Sequence, residues 1–188
     1  MKPAELLDIL AVAEKLKCTT RHCYTSSGRH ESVAEHSWRI ALMAMLLEPE
    51  YPDADMDKVI RMCLIHDLGE AFTGDIPTFD KNKQHEETEA DLFHSWVGAL
   101  PDDARRQFEP LLAEMEAMES QEAKIYKALD KMEAVIQHNE SDISTWLPLE
   151  YDLQLRYGTE NVQFSPYMKG LKAEIDRWTQ KKIDDAQK

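Results

Sequence analysis

The sequence predicts a single all-α domain, and three observations carry this prediction. Apolar residues recur at three- and four-residue spacings along most of the chain, which is the period of an amphipathic helix. Short alternating runs of β-branched residues are missing, so no sheet is expected. With 188 residues, 43 % of them hydrophobic, the chain can bury one core without disulfide bonds.

The first elements are delimited by a break in the apolar period and by a capping sequence. A helix is predicted over residues 4–17, and the stretch 18–31, which contains Thr, Ser and Gly, is expected to be a loop. The sequence Ser32-Val33-Ala34-Glu35 has the form of a capping box. A second helix should therefore run from Ser32 to about Leu47 and end before Pro49.

The remaining elements follow the same signals. A third helix is expected from about Asp55 to Leu68 or Gly69, and an ordered loop over 70–83. Pro101 and Ser165-Pro166 mark helix starts, because proline suits the first helical turn. The later helices are predicted at 84–98, 102–118, 120–139, about 147–156, and from Ser165 to about Lys182. Six to eight helices thus form one domain over residues 1–188.

Composition excludes several functional classes. A net charge of −14 argues against a nucleic-acid polymer as partner, because such proteins concentrate positive charge against phosphates. No apolar run approaches the roughly 20 residues of a membrane span, and the opening segment lacks the features of a signal peptide. The three cysteines form no paired CxxC pattern. We therefore expect a cytoplasmic protein that does not bind a membrane, and the net charge leaves a small phosphorylated substrate possible.

Two histidines and two aspartates are the candidate ligands of one metal ion. His66 and Asp67 are adjacent at the end of an apolar helical segment, just before a turn at Gly69. His36 lies in the first turns of the second helix, and Asp130 lies among apolar residues of a later one. An aspartate on an apolar helix face is costly to bury unless it is paired or bound to a cation.

An ion pair between Asp130 and Lys127 or Lys131 is the alternative explanation for that aspartate. Two imidazoles and two carboxylates accept Mn, Co, Fe, Zn, Ni or Mg, so the sequence does not select the divalent metal. Such a set leaves coordination positions open for water and substrate, as a hydrolytic metal site requires.

In this order, the four residues resemble the H…HD…D signature of the HD-domain metal-dependent phosphohydrolases, and more narrowly that of the HD-domain 5′-deoxynucleotidases. The resemblance covers about residues 5–140 and includes the loop Thr73-Gly74-Asp75-Ile76-Pro77. It implies an HD-type helical domain whose metal-site core spans about residues 18–140, with helices in 145–183 completing the fold. It also implies a homodimer, one divalent metal ion, and removal of phosphate from (deoxy)ribonucleoside 5′-monophosphates.

The resemblance assigns further roles by position. Glu70 and Asp75 match the family's catalytic carboxylates, and Arg21 matches its phosphate-contacting arginine. Glu70 follows Asp67 by about one helical turn, so it can exchange a proton with the departing 5′-oxygen or the attacking water. An exposed acid at a helix end is the alternative. Arg29 is a second candidate for the phosphate.

Asp75 could accept from a sugar hydroxyl or orient water, and a turn-forming aspartate that bonds its own backbone is the alternative. His22 departs from the family, because its bacterial members carry a tryptophan there that favours deoxyribose. The smaller, polar His22 is a candidate substrate contact that leaves both sugars possible.

Two other functions remain open from the sequence. A di-iron HD oxygenase needs extra histidines before the last aspartate, and His85 and His94 lie in that interval. Nine residues on one helix place them about 180° apart, which disfavours a shared cluster. A metal-binding protein without catalytic activity is the second alternative.

Overall fold

A computed structural model describes residues 1–188, and nine α-helices form most of the chain. Eight of them have at least seven residues, in agreement with the predicted six to eight, and α4 is a single turn. None of them has the length and apolar character that crossing a membrane requires. The helices are α1 (Pro3–Cys18), α2 (Val33–Leu46), α3 (Met56–Ile65), α4 (Glu70–Thr73), α5 (Lys83–Gly98), α6 (Asp102–Ala117), α7 (Gln121–Glu140), α8 (Glu150–Arg156) and α9 (Pro166–Ala186).

The predicted helix caps are confirmed at two sites. The hydroxyl of Ser32 accepts from the backbone N–H of Glu35, and the Glu35 carboxylate accepts from the backbone N–H of Ser32. This capping box fixes the start of α2, the helix that carries His36. The hydroxyl of Ser165 caps α9, and Pro166 occupies its first turn. Helix α9 continues to Ala186, four residues beyond its predicted end.

The prediction of a loop over 18–31 and of no sheet was wrong. Strands β1 (Thr20–Tyr24) and β2 (His30–Ser32) pair as an antiparallel hairpin with a register irregularity, and the turn contains Gly28 at φ +84°. These strands are too short to show a period of two. Tertiary contact stabilises them: the Gln137 amide on α7 donates to the carbonyl of Tyr24 at 2.7 Å.

The third predicted helix was too long, and the predicted loop after it contains a helical turn. Helix α3 ends at Ile65, and the chain then tightens, with the N–H groups of Leu68 and Glu70 donating to carbonyls three residues back. Helix α4 follows and ends at Gly74, where φ is +79°. Three-residue hydrogen bonds turn the chain more sharply than an α-helix does, so His66 and Asp67 lie at a bend.

Helix α7 occupies the centre of the fold. Twelve of its twenty residues are buried, and it packs against α2, α3 and α9. Its apolar residues Ile125, Leu129 and Met132 are fully buried in the same cluster as Ile40 of α2 and Met62 of α3. Because α2, α3 and α7 share this core, polar residues on their inner faces are held in fixed positions.

Candidate metal centre and adjacent pocket

The fold brings the four candidate metal ligands together. His36 comes from α2, His66 and Asp67 from the bend after α3, and Asp130 from α7. His36 Nε2 lies 3.7 Å from Asp67 Oδ2 and 3.4 Å from Asp130 Oδ1. His66 Nε2 lies 2.9 Å and 3.9 Å from the same two oxygens. The ligand atoms of His36, His66 and Asp67 lie within 4.8 Å of one another, a spacing that can hold one ion, and Asp130 Oδ1 lies beside this group.

The imidazoles are oriented as metal ligands. His66 Nδ1 donates to the carbonyl of Cys63 at 2.9 Å, and His36 Nδ1 is hydrogen-bonded to Glu133. The Nε2 atoms of both rings are buried, and neither makes a hydrogen bond within the protein. Binding of the other ring nitrogen by a carbonyl or carboxylate is the usual way of orienting a metal-bound histidine. The donor set therefore fits a divalent cation.

Asp130 uses its two oxygens differently. Oδ1 faces the histidines, and Oδ2 lies 3.0 Å from Lys127 Nζ and 3.3 Å from Lys131 Nζ. The ion pair that the sequence offered as an alternative is thus present, but it leaves the other oxygen facing the cluster. The two explanations of a buried Asp130 are compatible.

The charges around the cluster keep both carboxylates ionised. Burial raises the pKa of Asp67, but His66 and His36 lower it further, so the net shift is downward. Burial likewise raises the pKa of Asp130, and Lys127 and Lys131 bring it well below its ordinary value. Burial and Arg21 lower the pKa of His36, whereas Glu133 and Asp130 raise it, to about 9 in the absence of a cation.

Glu133 is a site residue that sequence reasoning missed. It is fully buried, hydrogen-bonded to His36, and within 2.7 Å of Arg39 Nε and 3.2 Å of Arg21 Nη1. Burial raises its pKa, but His36 and the two arginines lower it to about 2, so the carboxylate is ionised. Its position one helical turn after Asp130, on the same face of α7, was the available signal.

Arg21 lies beside this cluster, on strand β1. Its Nη1 contacts Glu31 Oε2 at 2.9 Å and Glu133 Oε2 at 3.2 Å. The guanidinium is thus held by two buried carboxylates while the residue lines a pocket beside the cluster. A guanidinium fixed in this way is preorganised for an anion.

Glu70 and Asp75 are buried or half-buried next to the cluster. Glu70 begins α4, and its Oε2 makes no hydrogen bond within the protein. Burial, together with the charges of Asp67 and Asp75, raises its pKa to about 10. Burial also raises the pKa of Asp75 against the lowering effect of Arg21. Without a cation, Glu70 therefore holds a proton at neutral pH, and Asp75 lines the same pocket as Arg21.

This pocket has a wall from the C-terminal part of the chain, to which the sequence assigned no chemistry. The pocket encloses about 500 Å³ of space that opens to solvent. Glu150, at the start of α8, is buried and lies 2.9 Å from His138 Nε2 and 3.3 Å from His22 Nε2. The residues that line the pocket are Arg21, His22, Cys23, Asp75, Ile76, Pro77, Thr78, Phe79, Ala134, His138, Glu150, Leu153, Gln154 and Tyr157.

One arginine and two histidines from the sequence analysis lie away from the metal cluster and the pocket. Arg29 pairs with Glu35 at 2.9 Å, and its side chain is 59 % exposed outside the pocket. The structure therefore does not bring Arg29 to Arg21 and His22. His85 and His94 both lie on α5, as predicted, and neither belongs to a cluster able to hold a metal. His94 is half exposed and contacts Glu116.

The known family that matches this architecture is the HD domain, over residues 13–172 of the chain. The chain belongs to the HD-domain family. The solved structure of a predicted metal-dependent phosphohydrolase from Magnetospirillum magnetotacticum superimposes on this HD-domain protein with a TM-score of 0.78, at 29 % identity, covering 95 % of this chain and 93 % of that one.

Two relatives of this HD-domain protein carry the same activity in their names. Human 5′-deoxynucleotidase HDDC2 is 34 % identical over 140 residues, which is 72 % of this chain and 67 % of the human protein. Saccharomyces cerevisiae 5′-deoxynucleotidase YGK1 is 27 % identical over 197 residues, 98 % of this chain and 85 % of the yeast protein. This HD-domain protein is accordingly a hydrolase, a metal-dependent phosphohydrolase.

Proposed function

We propose that this enzyme removes phosphate from nucleoside 5′-monophosphates that contain either deoxyribose or ribose. The observation that supports this most strongly is that Arg21 joins two features: it lines a pocket of about 500 Å³ that opens to solvent, and it contacts Glu133, the hydrogen-bond partner of the candidate metal ligand His36. The human and yeast relatives named 5′-deoxynucleotidases support the same class of substrate.

The metal ligands in this proposal are His36, His66, Asp67 and Asp130. When bound, a divalent cation supplies Lewis acidity, which polarises a phosphoryl oxygen and lowers the pKa of a bound water. The two imidazoles present unpartnered Nε2 atoms, and the two aspartates are ionised at neutral pH. The donor set fits several divalent metals, so the choice follows their availability.

Arg21 is the proposed phosphate-binding side chain. Glu31 and Glu133 both contact its Nη1, so the remaining guanidinium N–H groups can donate to phosphate oxygens in the pocket. The two carboxylates also offset its charge when no substrate is bound. Fixing the guanidinium before binding reduces the entropy that is lost when the phosphate is positioned.

Glu70 and Asp75 are the proposed catalytic carboxylates. A carboxyl with a pKa raised to about 10 is protonated at neutral pH, so Glu70 can give its proton to the departing 5′-oxygen. Asp75 lines the pocket and can accept from a sugar hydroxyl or from the attacking water. Positioning and charge stabilisation provide most of the acceleration in phosphoryl transfer.

His22 is the proposed contact at the sugar. Its ring packs edge-on against Phe79, with centroids 5.4 Å apart, and its Nε2 faces Glu150. No hydrogen bond within the protein uses its Nδ1, which leaves a polar atom available to a sugar hydroxyl. We therefore propose acceptance of both deoxyribose and ribose. Arg29 has no part in substrate binding in this proposal, because it pairs with Glu35 outside the pocket.

The test is phosphate release from a panel of ribo- and deoxyribonucleoside 5′-monophosphates, with purified protein stripped of metal and then supplied with each divalent ion. We expect no release from stripped protein and restored release with at least one transition metal. Asp67→Ala should be inactive, and Asp53→Ala, in an exposed position remote from the cluster, should retain full activity. Metal-dependent release from other phosphomonoesters alone would contradict the nucleotidase proposal.

A further inference from the structure

We infer that Gln154 binds the nucleobase of the substrate and that helix α8 thereby forms the nucleoside-binding wall of the pocket. This inference rests on the proposed nucleotidase function and specifies the part of the site that the phosphate chemistry does not use. It concerns a region, residues 150–157, that lies outside the metal cluster and its immediate partners.

Gln154 is a buried polar side chain without a partner. The residue is only 3 % exposed and lines the pocket, and its amide makes no hydrogen bond within the protein but keeps contact with the open space of the pocket. Water can reach the amide while the pocket is empty, and a molecule that displaces this water must replace its hydrogen bonds, because an amide left unpaired is unfavourable. An amide left free at a pocket wall is thus available to a bound molecule.

Its position corresponds to the far end of a bound nucleotide. Helix α7 runs from Asp130 at the metal cluster to Ala134 and His138, which line the pocket. Eight residues of helix cover about 12 Å, which is comparable with an extended nucleoside monophosphate. His138 contacts Glu150, and Gln154 follows Glu150 by one turn of α8 on the same face. A phosphate at the cluster therefore directs the nucleoside toward α8.

The surroundings suit a planar heterocycle. Phe79, Pro77 and Leu153 contribute apolar surface to the pocket, and Gln154 adds one amide. That amide has both a donor and an acceptor, and rotation about its last torsion exchanges them. Each nucleobase presents a hydrogen-bond donor next to an acceptor. The Gln154 amide can match either order of the two by turning over. We therefore expect Gln154 to favour substrates that carry a base, without selecting among the four bases.

The experiment compares Gln154→Leu with the unchanged protein on two substrate types. For nucleoside 5′-monophosphates, we expect KM to rise roughly tenfold, as for the loss of about one to two hydrogen bonds in a desolvated site. For 2-deoxyribose 5-phosphate, which lacks a base, kcat/KM should not change. Gln180→Leu, on the exposed side of α9, is the matched control and should behave as the unchanged protein with both substrates.

A second measurement does not depend on turnover. Thymidine and deoxyadenosine should bind the metal-free protein, and Gln154→Leu should weaken both about equally in calorimetric titration. If Gln154→Leu does not fold, Gln154→Met keeps an unbranched apolar side chain in the same space and serves as the second variant.

Two results would overturn the inference while leaving the nucleotidase proposal intact. One is unchanged KM for nucleotides in the variant, and the other is an equal loss for nucleotides and 2-deoxyribose 5-phosphate, which indicates a structural role. By contrast, activity of the unchanged protein on 2-deoxyribose 5-phosphate with none on nucleotides would contradict the proposed function itself.

Discussion

Glu133 accepts a hydrogen bond from Nδ1 of His36, and neither side chain has any exposed surface. Because the carboxylate can only accept, it keeps the proton on Nδ1 and turns Nε2 toward Asp67 and Asp130. A residue of α7 thus orients His36 of α2, which is a proposed metal ligand.

Replacing Glu133 should weaken metal binding without removing a ligand. We expect Glu133→Gln to lower affinity for the activating metal by about 10- to 100-fold, the usual cost of losing a partner that orients a metal-bound histidine. Activity titrated against free metal measures this. Glu140→Gln is the matched control, because Glu140 also pairs with Arg39 but lies away from His36. Equal metal affinity in Glu133→Gln and the unchanged protein would exclude the orienting role.

Metal affinity should depend on pH. In the cation-free protein, Glu133 and Asp130 overcome burial and Arg21 and hold the pKa of His36 at about 9, so a cation must displace a proton at neutral pH. Apparent affinity should therefore rise by about tenfold for each pH unit and level off near pH 9. Calorimetry in two buffers of different ionisation enthalpy measures the released proton. A flat profile between pH 6 and pH 8 would contradict this expectation.

Removing the carboxyl of Glu70 should affect the chemical step. We expect Glu70→Gln to lower kcat by about 10²- to 10⁴-fold, with metal content unchanged, because the amide cannot transfer a proton. Glu87→Gln on the exposed face of α5 is the control. Loss of activity in Asp67→Ala with full activity in Glu70→Gln would exclude the proton-transfer role.

The same residue should affect stability as a function of pH. Burial and nearby carboxylates raise the pKa of Glu70 from 4.5 to about 10, so the folded metal-free protein retains a proton that the unfolded chain releases above its own lower pKa. Stability from this group is present below about pH 4.5 and decreases as pH rises toward 10. Glu70→Gln should therefore raise the Tm of metal-free protein at pH 8 more than at pH 5. An equal change at both pH values would disagree with a raised pKa.

The sugar preference should depend on His22. A larger aromatic ring here would fill space beside Phe79 and crowd a 2′-hydroxyl, so His22→Trp should increase the ratio of deoxyribo- to ribonucleotide kcat/KM. Paired deoxy- and ribonucleotides with the same base measure the ratio. A Phe79→Leu variant reports whether loss of ring packing alone produces the change. A ratio that stays the same in His22→Trp would place the 2′-hydroxyl elsewhere.

The homodimer remains a prediction, and exposed apolar side chains support it. Leu7, Trp38 and Leu46 each leave more than half of their surface exposed, so they are available to an interface. Light scattering after size-exclusion chromatography should give twice the 21.7 kDa of one chain. A mass of one chain at micromolar concentration would contradict a stable dimer.

Local signals predicted most of the fold. The capping box at Ser32 and the proline after Ser165 fix helix starts within their own segments, so neighbouring residues suffice to locate them. The hairpin of β1 and β2 was missed because its stabilising contact, from Gln137 to Tyr24, joins residues 113 positions apart. The bend after Ile65 was missed because it depends on hydrogen bonds to backbone carbonyls three residues back, which the amino-acid composition does not reveal.

The sequence likewise predicted part of the candidate site. The adjacent His66-Asp67 pair and the aspartate in an apolar helix are visible in the sequence, and the fold brings them together with His36. The partners of Glu133 and Glu150 could not be predicted from the sequence, because they lie on other elements. His36, for example, is 97 residues away from Glu133. Arg29 lies close to Arg21 in sequence, but the hairpin places it on an exposed surface.

The divided use of Asp130 has a consequence for which phosphate esters the centre accepts. Asp67 and Asp130 together carry two negative charges, which a divalent cation balances. Lys127 and Lys131 then contribute two further positive charges within 3.0 and 3.3 Å of Asp130. A terminal phosphate monoester is a dianion and matches that excess, whereas an internal phosphodiester carries one charge and leaves a lysine unmatched. In a chain with a net charge of −14, we expect this local balance to favour the end of a small nucleotide over the interior of a polynucleotide.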